Sequence, residues 1–126
     1  MAEHNALGEW GERVAREYLL RQGYAIGAEN TRIGKAEIDF IAIKDDRIVF
    51  VEVKTRTTDF VDPSEAVDIA KMRRLARAAD TYIRSMNILH EPQFDVITII
   101  GNPDADPSTA VIEHYPDAFR PPLSSR

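Results

Sequence analysis

Two short apolar segments, residues 37–43 and 48–54, are separated by four charged residues, and this arrangement constrains the fold more than any other part of the chain. Both segments are rich in β-branched side chains, which favour strands, and a short polar interval is typical of a turn. The sequence therefore predicts a β-hairpin. With a loop of either two or four residues, Ile43 pairs with Ile48.

Counting outward from that pair brings four charged side chains of the hairpin together. Asp39 is expected opposite Glu52. Glu37 is expected opposite Lys54 on the same face, because side chains alternate between the two faces of a strand. The valines of the second strand then point to the other face.

The facing carboxylates of Asp39 and Glu52 predict a divalent metal site. Carboxylates directly opposite each other repel, and Mg²⁺ offsets that repulsion because it takes oxygen ligands and is usually held by one or two carboxylates. Its other positions then take water and substrate phosphate. An ordinary surface ladder of Glu and Lys side chains is the alternative interpretation, although both strands are too apolar elsewhere for an exposed position.

Length and composition are those of one globular domain. With 126 residues, of which 44% are hydrophobic and 29% charged, the chain can bury a core of ordinary size, and a second domain is not expected. The sequence contains no cysteine, which excludes disulfides and cysteine-ligated zinc. The first residues lack the apolar core of a signal peptide, and no apolar run of about 18 residues predicts a membrane span. We expect a cytoplasmic protein with no membrane partner.

The formal net charge of −5 is the main compositional objection to a nucleic-acid partner. Binding to a phosphate backbone depends on Lys and Arg side chains that displace counterions. Part of the negative charge belongs to the candidate site itself, and a bound divalent cation would offset it. We therefore expect weak, salt-sensitive binding, which the pairing of two subunits would strengthen.

Two helices are predicted. Apolar residues recur at helical spacing over residues 5–22, with Glu12 at the edge of the apolar face. From that edge Glu12 can point inward over the sheet, although by its pattern alone it is a boundary residue that reaches solvent. The second helix is expected to begin at Asp62 and Pro63, a cap followed by a favourable first helical residue, and to run to about Met86.

The basic residues of this second helix occupy two positions relative to its apolar stripe. Lys71 and Arg74 lie at the border of the stripe, whereas Arg73, Arg77 and Arg84 lie on the opposite side. A basic helix face is ordinarily solvated surface. We expect Lys71 to differ, because a border lysine can extend toward a phosphate at the site.

The remaining strands complete an α/β fold. They are predicted over residues 24–32, 94–100 and 109–115, so that one domain covers residues 1–115 and an extended tail, with Phe119 as its anchor, covers residues 116–126. The order helix, strand, hairpin, helix, strand, strand gives a central mixed β-sheet flanked by α-helices.

Several other polar residues carry weaker signals. Asp95 either joins the acidic site or, as we favour, has a structural hydrogen-bonding role. Thr55 and Arg56 follow the hairpin closely enough to contact a phosphate, although Arg56 is equally well explained as a solvated loop residue. The three histidines are scattered and predict no metal site.

The spacing of Asp39 from Glu52 and Lys54, after a helix that contains Glu12, resembles the PD-(D/E)XK nuclease superfamily, whose core is restriction-endonuclease-like. That spacing alone is a weak motif. A wider set of residues is similar to the bacterial YraN-type family, itself similar to archaeal Holliday-junction resolvases, over about residues 5–100: Gly8, Gly11, Glu12, Ala15, Leu19, Gly23, Tyr24, Asn30, residues 37–39 and 50–56, Pro63, Ser64, Lys71 and residues 94–96. One departure is Ala36, where that family usually has Gly.

The resemblance implies an endonuclease that hydrolyses phosphodiester bonds with Mg²⁺ or Mn²⁺. Its catalytic residues would be Glu12, Asp39, Glu52 and Lys54. The metal ligands would be Asp39, Glu52, the backbone carbonyl of Val53 and Glu12, which completes the shell of the same ion or binds a second one. Glu37, Arg56 and Lys71 would contact substrate, with Glu37 most simply orienting Lys54.

The resemblance also favours DNA over RNA as the partner, with branched DNA of repair or recombination as one candidate, and it is compatible with a homodimer. The alternative from another class is a catalytically inactive nucleic-acid-binding or assembly module that keeps the nuclease fold. The acidic composition and the lack of an obvious basic cleft in the sequence favour that module. The presence of all the charged site residues favours the enzyme.

Overall fold

The structure, a computed structural model, describes residues 6–57 and 69–119. The elements follow in the order α1 (Ala6–Arg21), β1 (Ala25–Ile33), β2 (Ala36–Lys44), β3 (Arg47–Arg56), α2 (Ile69–Ser85), β4 (Glu91–Ile100) and β5 (Val111–Tyr115). A short 3₁₀ helix, Pro107–Thr109, precedes β5. The predicted helix start at Asp62 and Pro63 and the tail after residue 119 lie outside the described residues.

The five strands of the described chain form one mixed sheet in the order β1-β2-β3-β4-β5. Neighbouring strands are antiparallel except β3 and β4, which are parallel. A parallel pair needs a crossover connection that passes over the sheet, and α2 lies in that connection. The predicted α/β architecture, a mixed sheet flanked by two helices, is confirmed.

The β2–β3 hairpin forms in the predicted register, with Ile43 paired to Ile48. Its two-residue turn consists of Asp45 and Asp46, and Asp45 has a positive φ of 56°. Asp tolerates that backbone conformation better than β-branched residues do, so the acidic pair suits a tight hairpin. The hairpin therefore places β3 at the centre of the sheet.

Apolar side chains on the two faces of the sheet form two separate cores. The core beneath α1 includes Trp10, Ala15 and Leu19 with Phe40, Val49, Val51, Ile97 and Ile99. The core beneath α2 includes Ala78 and Ala79 with Ile38, Ile41, Ile48, Phe50 and Phe94. Phe119 stacks on Phe94 with ring centroids 4.9 Å apart, so the first part of the tail packs on the second core. The charged residues of β2 and β3 thus lie in strands that are held from both sides.

The helix α1 approaches β3 closely at Gly11. A Cβ atom at this position would lie 2.0 Å from Thr55 Oγ1, which no ordinary packing permits. The absence of a side chain therefore allows α1 to sit against the end of β3. The next residue along the helix is Glu12.

Candidate active site

The candidate site lies where the β2–β3 ladder ends. Backbone pairing extends from the turn as far as Phe40 and Val51. In the described hairpin, backbone pairing does not continue to the predicted pairs Asp39–Glu52 and Glu37–Lys54. Instead, the backbone N–H of Val53 donates a hydrogen bond of 2.8 Å to Asp39 Oδ2. The Asp39 side chain thus accepts the hydrogen bond that a backbone carbonyl of β2 would accept in a regular ladder. This bond holds the Asp39 carboxylate against β3.

The alternation of side chains along β2 is interrupted at Asp39. Ile38 belongs to the core beneath α2, whereas Phe40, two residues later, belongs to the core beneath α1. Strict alternation would place both on one face. On β1, Asn30 lies between the partners of these two residues and has a left-handed backbone, with φ of 48°. The prediction that Glu37 and Asp39 share one face assumed strict alternation, which β2 does not follow here.

Glu52 joins two lysines at the site. Its Oε2 atom lies 3.2 Å from Lys54 Nζ and 2.5 Å from Lys71 Nζ. Lys54 follows two residues later on β3 and so shares its face, whereas Lys71 reaches the sheet from α2. Burial opposes the charge on Lys71, but the Glu52 carboxylate outweighs it and raises the pKa of Lys71 above its ordinary value. One carboxylate is therefore shared by two ammonium groups.

Asp39, unlike Glu52, is surrounded by negative charges. Burial is the main reason why the pKa of Asp39 rises from 3.8 to about 7, and the negative charges of Glu52, Glu12 and Glu37 add to the rise. The hydrogen bond from Val53 works in the other direction without cancelling it. A nearby cation would favour the charged form of this carboxyl group. Without one, Asp39 is only partly ionised at neutral pH.

Glu12 and Glu37 lie near Asp39 but are not hydrogen-bonded to Asp39 or Glu52 within the described residues. Glu12 Oε1 accepts a hydrogen bond of 3.2 Å from Asn30 Nδ2, so the helix residue is held over β1. Glu12 and Glu37 act on Asp39 through their charge. Arg56 lies at the far end of β3, opposite Ile100 of β4.

Each central carboxylate keeps one oxygen atom for a further ligand. Asp39 uses Oδ2 and Glu52 uses Oε2, so Oδ1 of Asp39 and Oε1 of Glu52 accept no hydrogen bond from the described part of the chain. Carboxylate oxygens are ligands that Mg²⁺ and Mn²⁺ accept.

The fit to a divalent cation is limited to these two carboxylates. Across residues 6–57 and 69–119, no group of three or more His, Cys, Asp or Glu side chains is close enough to hold a metal ion. Glu12, predicted as a further ligand, is engaged by Asn30. Asp39 and Glu52 can therefore hold a cation only if backbone carbonyl, water or substrate oxygens supply the other ligands, which is the usual arrangement for Mg²⁺.

A buried polar network surrounds Asp95, which lines the same cavity as Asp39 and Glu52. Asp95 is 1% exposed. It accepts hydrogen bonds from Tyr24 Oη at 3.3 Å, Gln93 Nε2 at 2.8 Å and the backbone N–H of Asp117 at 2.9 Å, and it lies 2.7 Å from His114 Nε2. Burial works against ionisation, but these contacts, that of His114 above all, hold the pKa of Asp95 below its ordinary value.

This network supports the structural role favoured for Asp95. The importance of His114 was missed, because its partner lies on a strand whose pairing with β5 has no signal in the sequence. Asn30, which holds Glu12, was also missed as a site residue, although it belongs to the set of residues that carries the family resemblance. Its membership in that set was the only sequence signal that could have identified Asn30 as a site residue.

The model of an uncharacterised protein family, UPF0102, matches residues 11–99. The chain belongs to this family. It is 46% identical over 124 residues to a UPF0102 protein of Bacteroides thetaiotaomicron, which covers 98% of this chain and 99% of that relative. It is 42% identical over 120 residues to a UPF0102 protein of Flavobacterium psychrophilum, with 94% of this chain and 98% of the relative covered.

A UPF0102 protein of Porphyromonas gingivalis is likewise 42% identical over 120 residues, which are 94% of this chain and 87% of the relative. The matched UPF0102 region, residues 11–99, contains Asp39, Glu52, Lys54 and Lys71, whereas His114 lies beyond it. The helices within the described residues are too short or too polar to cross a membrane.

Proposed function

We propose that this UPF0102 protein is a metal-dependent endonuclease of the PD-(D/E)XK type that hydrolyses phosphodiester bonds in nucleic acid, and in DNA rather than RNA. The observation that supports this most is the grouping of the Asp39 and Glu52 carboxylates beside Lys54 and Lys71. Carboxylate oxygens attract a divalent cation, and lysines attract the phosphate that the cation would also contact.

In this proposal, Asp39, Glu52 and the backbone carbonyl of Val53 hold Mg²⁺ or Mn²⁺. The bound ion supplies Lewis-acid stabilisation of the phosphoryl oxygens and lowers the pKa of water. Lys54 stabilises the negative charge that develops on the phosphoryl group, or orients the attacking water. Val53 N–H keeps the Asp39 carboxylate directed at β3 before the ion arrives.

The other predicted residues take supporting roles. Lys71 is 41% exposed, so its ammonium group can contact Glu52 and a substrate phosphate together. Glu12 adds negative charge near Asp39, which strengthens attraction of a cation. Glu37 acts on Asp39 in the same way and orients Lys54, and Arg56 contacts a more distant phosphate.

A nucleic-acid-binding or assembly module without turnover is the second candidate. It is favoured by one observation: Glu52 already lies between two lysines, and no third carboxylate joins the pair within the described residues. Such a module would use Lys54 and Lys71 as phosphate contacts. It would need no metal.

The test is a cleavage assay on branched, flapped, linear duplex and single-stranded DNA and on matching RNA, with Mg²⁺, Mn²⁺ or EDTA. We expect metal-dependent cleavage by the parent protein and none by Asp39→Asn. The matched control is Asp46→Asn, which removes an equal charge from the exposed hairpin turn and should cleave normally. Binding without cleavage of any substrate would overturn the proposal in favour of the second candidate.

A further inference from the structure

An open cleft of about 330 Å³ lies between the β1–β2 turn and α2. Its charged side chains are Lys35 from the turn and Arg74 and Arg77 from the helix, and Thr81 adds a hydroxyl group. The turn leaves this cleft unobstructed, because a Cβ atom added to Gly34 would have no neighbour within 4 Å. The cleft is lined by three cations and, among the described residues, by no acidic side chain.

Within the described residues, these three cations have no carboxylate partner, unlike several other basic side chains. Arg16 is paired with Glu29, Lys71 with Glu52 and Arg84 with Asp80. Within residues 6–57 and 69–119, no carboxylate lies at ion-pair distance from the cations of the cleft. In a protein of net charge −5, the cleft is a local positive field that a polyanion would find.

Arg77 is exposed, as expected for a basic helix face, and it also lines the cleft. The β1–β2 turn extends beside α2, so a helix flank that is remote from the apolar stripe still faces protein. A basic cleft that the sequence did not reveal is formed in this way. The lack of an obvious basic cleft, one of the two arguments for the inactive module, therefore does not hold in the folded protein.

The cleft and the candidate active site both use residues of α2. A helix rises 1.5 Å per residue, so Arg74 and Arg77 lie about 4.5 Å and about 9 Å along the axis from Lys71, the lysine that contacts Glu52. Phosphates along one strand of a duplex are spaced about 3.4 Å along its axis. The two arginines therefore match positions about one and about three nucleotides from a phosphate at Lys71.

We propose that this cleft binds the phosphodiester backbone of one nucleic-acid strand next to the cleaved bond, an inference that rests on the proposed function for the identity of the ligand. Arg74 and Arg77 donate paired hydrogen bonds to phosphate oxygens, and Lys35 contributes a point charge from the opposite wall. The contacts carry no base specificity. They set the register and orientation of the strand at the site.

The test compares Arg74→Ala/Arg77→Ala with Arg73→Ala/Arg84→Ala, which removes the same number of charges from α2 outside the cleft. Affinity for a short fluorescent DNA duplex is measured in EDTA by anisotropy at several salt concentrations, so that neither metal nor hydrolysis affects it. We expect the cleft variant to bind about tenfold more weakly. The slope of log affinity against log salt should fall by about 2, since each lost phosphate contact removes about 0.9.

The control variant should keep the slope of the parent, and Arg74→Lys/Arg77→Lys should keep most of it, which separates lost charge from lost folding. Equal slopes for the two alanine variants, or no binding by the parent, would overturn the inference. Cleavage assays distinguish the two proposals. A parent that binds through the cleft but never cleaves contradicts only the nuclease, whereas a cleft variant that binds and cleaves as the control does contradicts only the cleft.

Discussion

At Asp39, the burial that positions the carboxylate also opposes its ionisation. The side chain is held by the Val53 N–H, yet its pKa is raised to about 7 by burial and by the nearby carboxylates of Glu52, Glu12 and Glu37. A group this far from its ordinary value is either a structural liability or part of a working site. Lys54 and Lys71 do not offset the unfavourable ionisation of Asp39, because both are paired with Glu52.

Asp39→Asn should therefore stabilise the protein in EDTA at about pH 8 and have little effect near pH 4. Between its unfolded pKa of 3.8 and its folded pKa of about 7, the folded state of the parent binds more protons, so its free energy of unfolding falls as pH rises. Asn cannot ionise and avoids that fall, which amounts to about 4 kcal/mol at about 1.4 kcal/mol per pKa unit. Urea unfolding across this pH range measures it.

The control for this measurement is Asp46→Asn, which should follow the parent at every pH. If Asp39→Asn instead unfolds more readily than the parent at high pH, the carboxylate has a stabilising structural role. The interpretation of Asp39 as an uncompensated charge would then be wrong.

Lys54→Ala separates catalysis from binding at a single residue. If Lys54 acts on charge that develops in the transition state, its loss should lower the cleavage rate on the order of 10²-fold or more, with little change in affinity measured in EDTA. If the protein only binds nucleic acid, affinity should fall modestly and the salt slope by about one. Single-turnover cleavage and anisotropy on the same preparation decide between these outcomes.

At the scale of the elements, the position of α1 depends on its contact with β3. Gly11 permits the close approach to Thr55, and the following Glu12 is thereby held near Asn30 and Asp39. Helix interiors disfavour glycine by about 1 kcal/mol relative to alanine. That penalty is tolerated here because a side chain would push the helix away from the sheet.

Gly11→Ala should destabilise the protein by about 1–3 kcal/mol despite the better helix propensity of alanine, because its Cβ would overlap Thr55. Adding Thr55→Ala removes the two closest atoms and should recover most of the loss. Gly27→Ala is the control, since its Cβ would lie 3.5 Å from the Ile41 carbonyl, an ordinary contact. Thermal unfolding of the four proteins tests this, and a fully stable Gly11→Ala would contradict the packing argument.

The hairpin could be predicted because its register depends on local pattern and turn length alone. The interrupted alternation of side chains at Asp39 could not be predicted, since it depends on the backbone of Asn30 in another strand. The same limit applies to Asp95 and His114, whose contact follows from the pairing of β4 with β5. The residue types of the site were therefore predictable, whereas their contacts required the fold.

At the scale of the whole molecule, the sheet separates two helices that each contribute to the surroundings of Asp39 and Glu52. Glu12 comes from α1 on one face, and Lys71 comes from α2 on the other. The charged group thus exists only in the fully folded domain. A ligand that binds there must stabilise the whole fold, not one element.

Mn²⁺ or Mg²⁺ should accordingly raise the melting temperature. At about 100 times the dissociation constant, binding to the folded state adds about 2.7 kcal/mol, and each kcal/mol corresponds to roughly 3–5 °C for a domain of this size. Asp39→Asn should lose the response, whereas Asp46→Asn should retain it. Differential scanning calorimetry with and without metal measures the shift, and an equal shift in both variants would place the ion elsewhere.

The parallel pairing of β3 with β4 also has a consequence for how the chain is made. Arg47 of β3 pairs with Glu91 of β4, so the central strand keeps an open edge until the ribosome has delivered α2 and everything that follows it to β4. Asp39 and Glu52 emerge first, while Lys71 and the strand that encloses them emerge later. A nascent or prematurely ended chain therefore displays the acidic hairpin without Lys71 and β4, and the group of charged side chains is complete only in finished molecules.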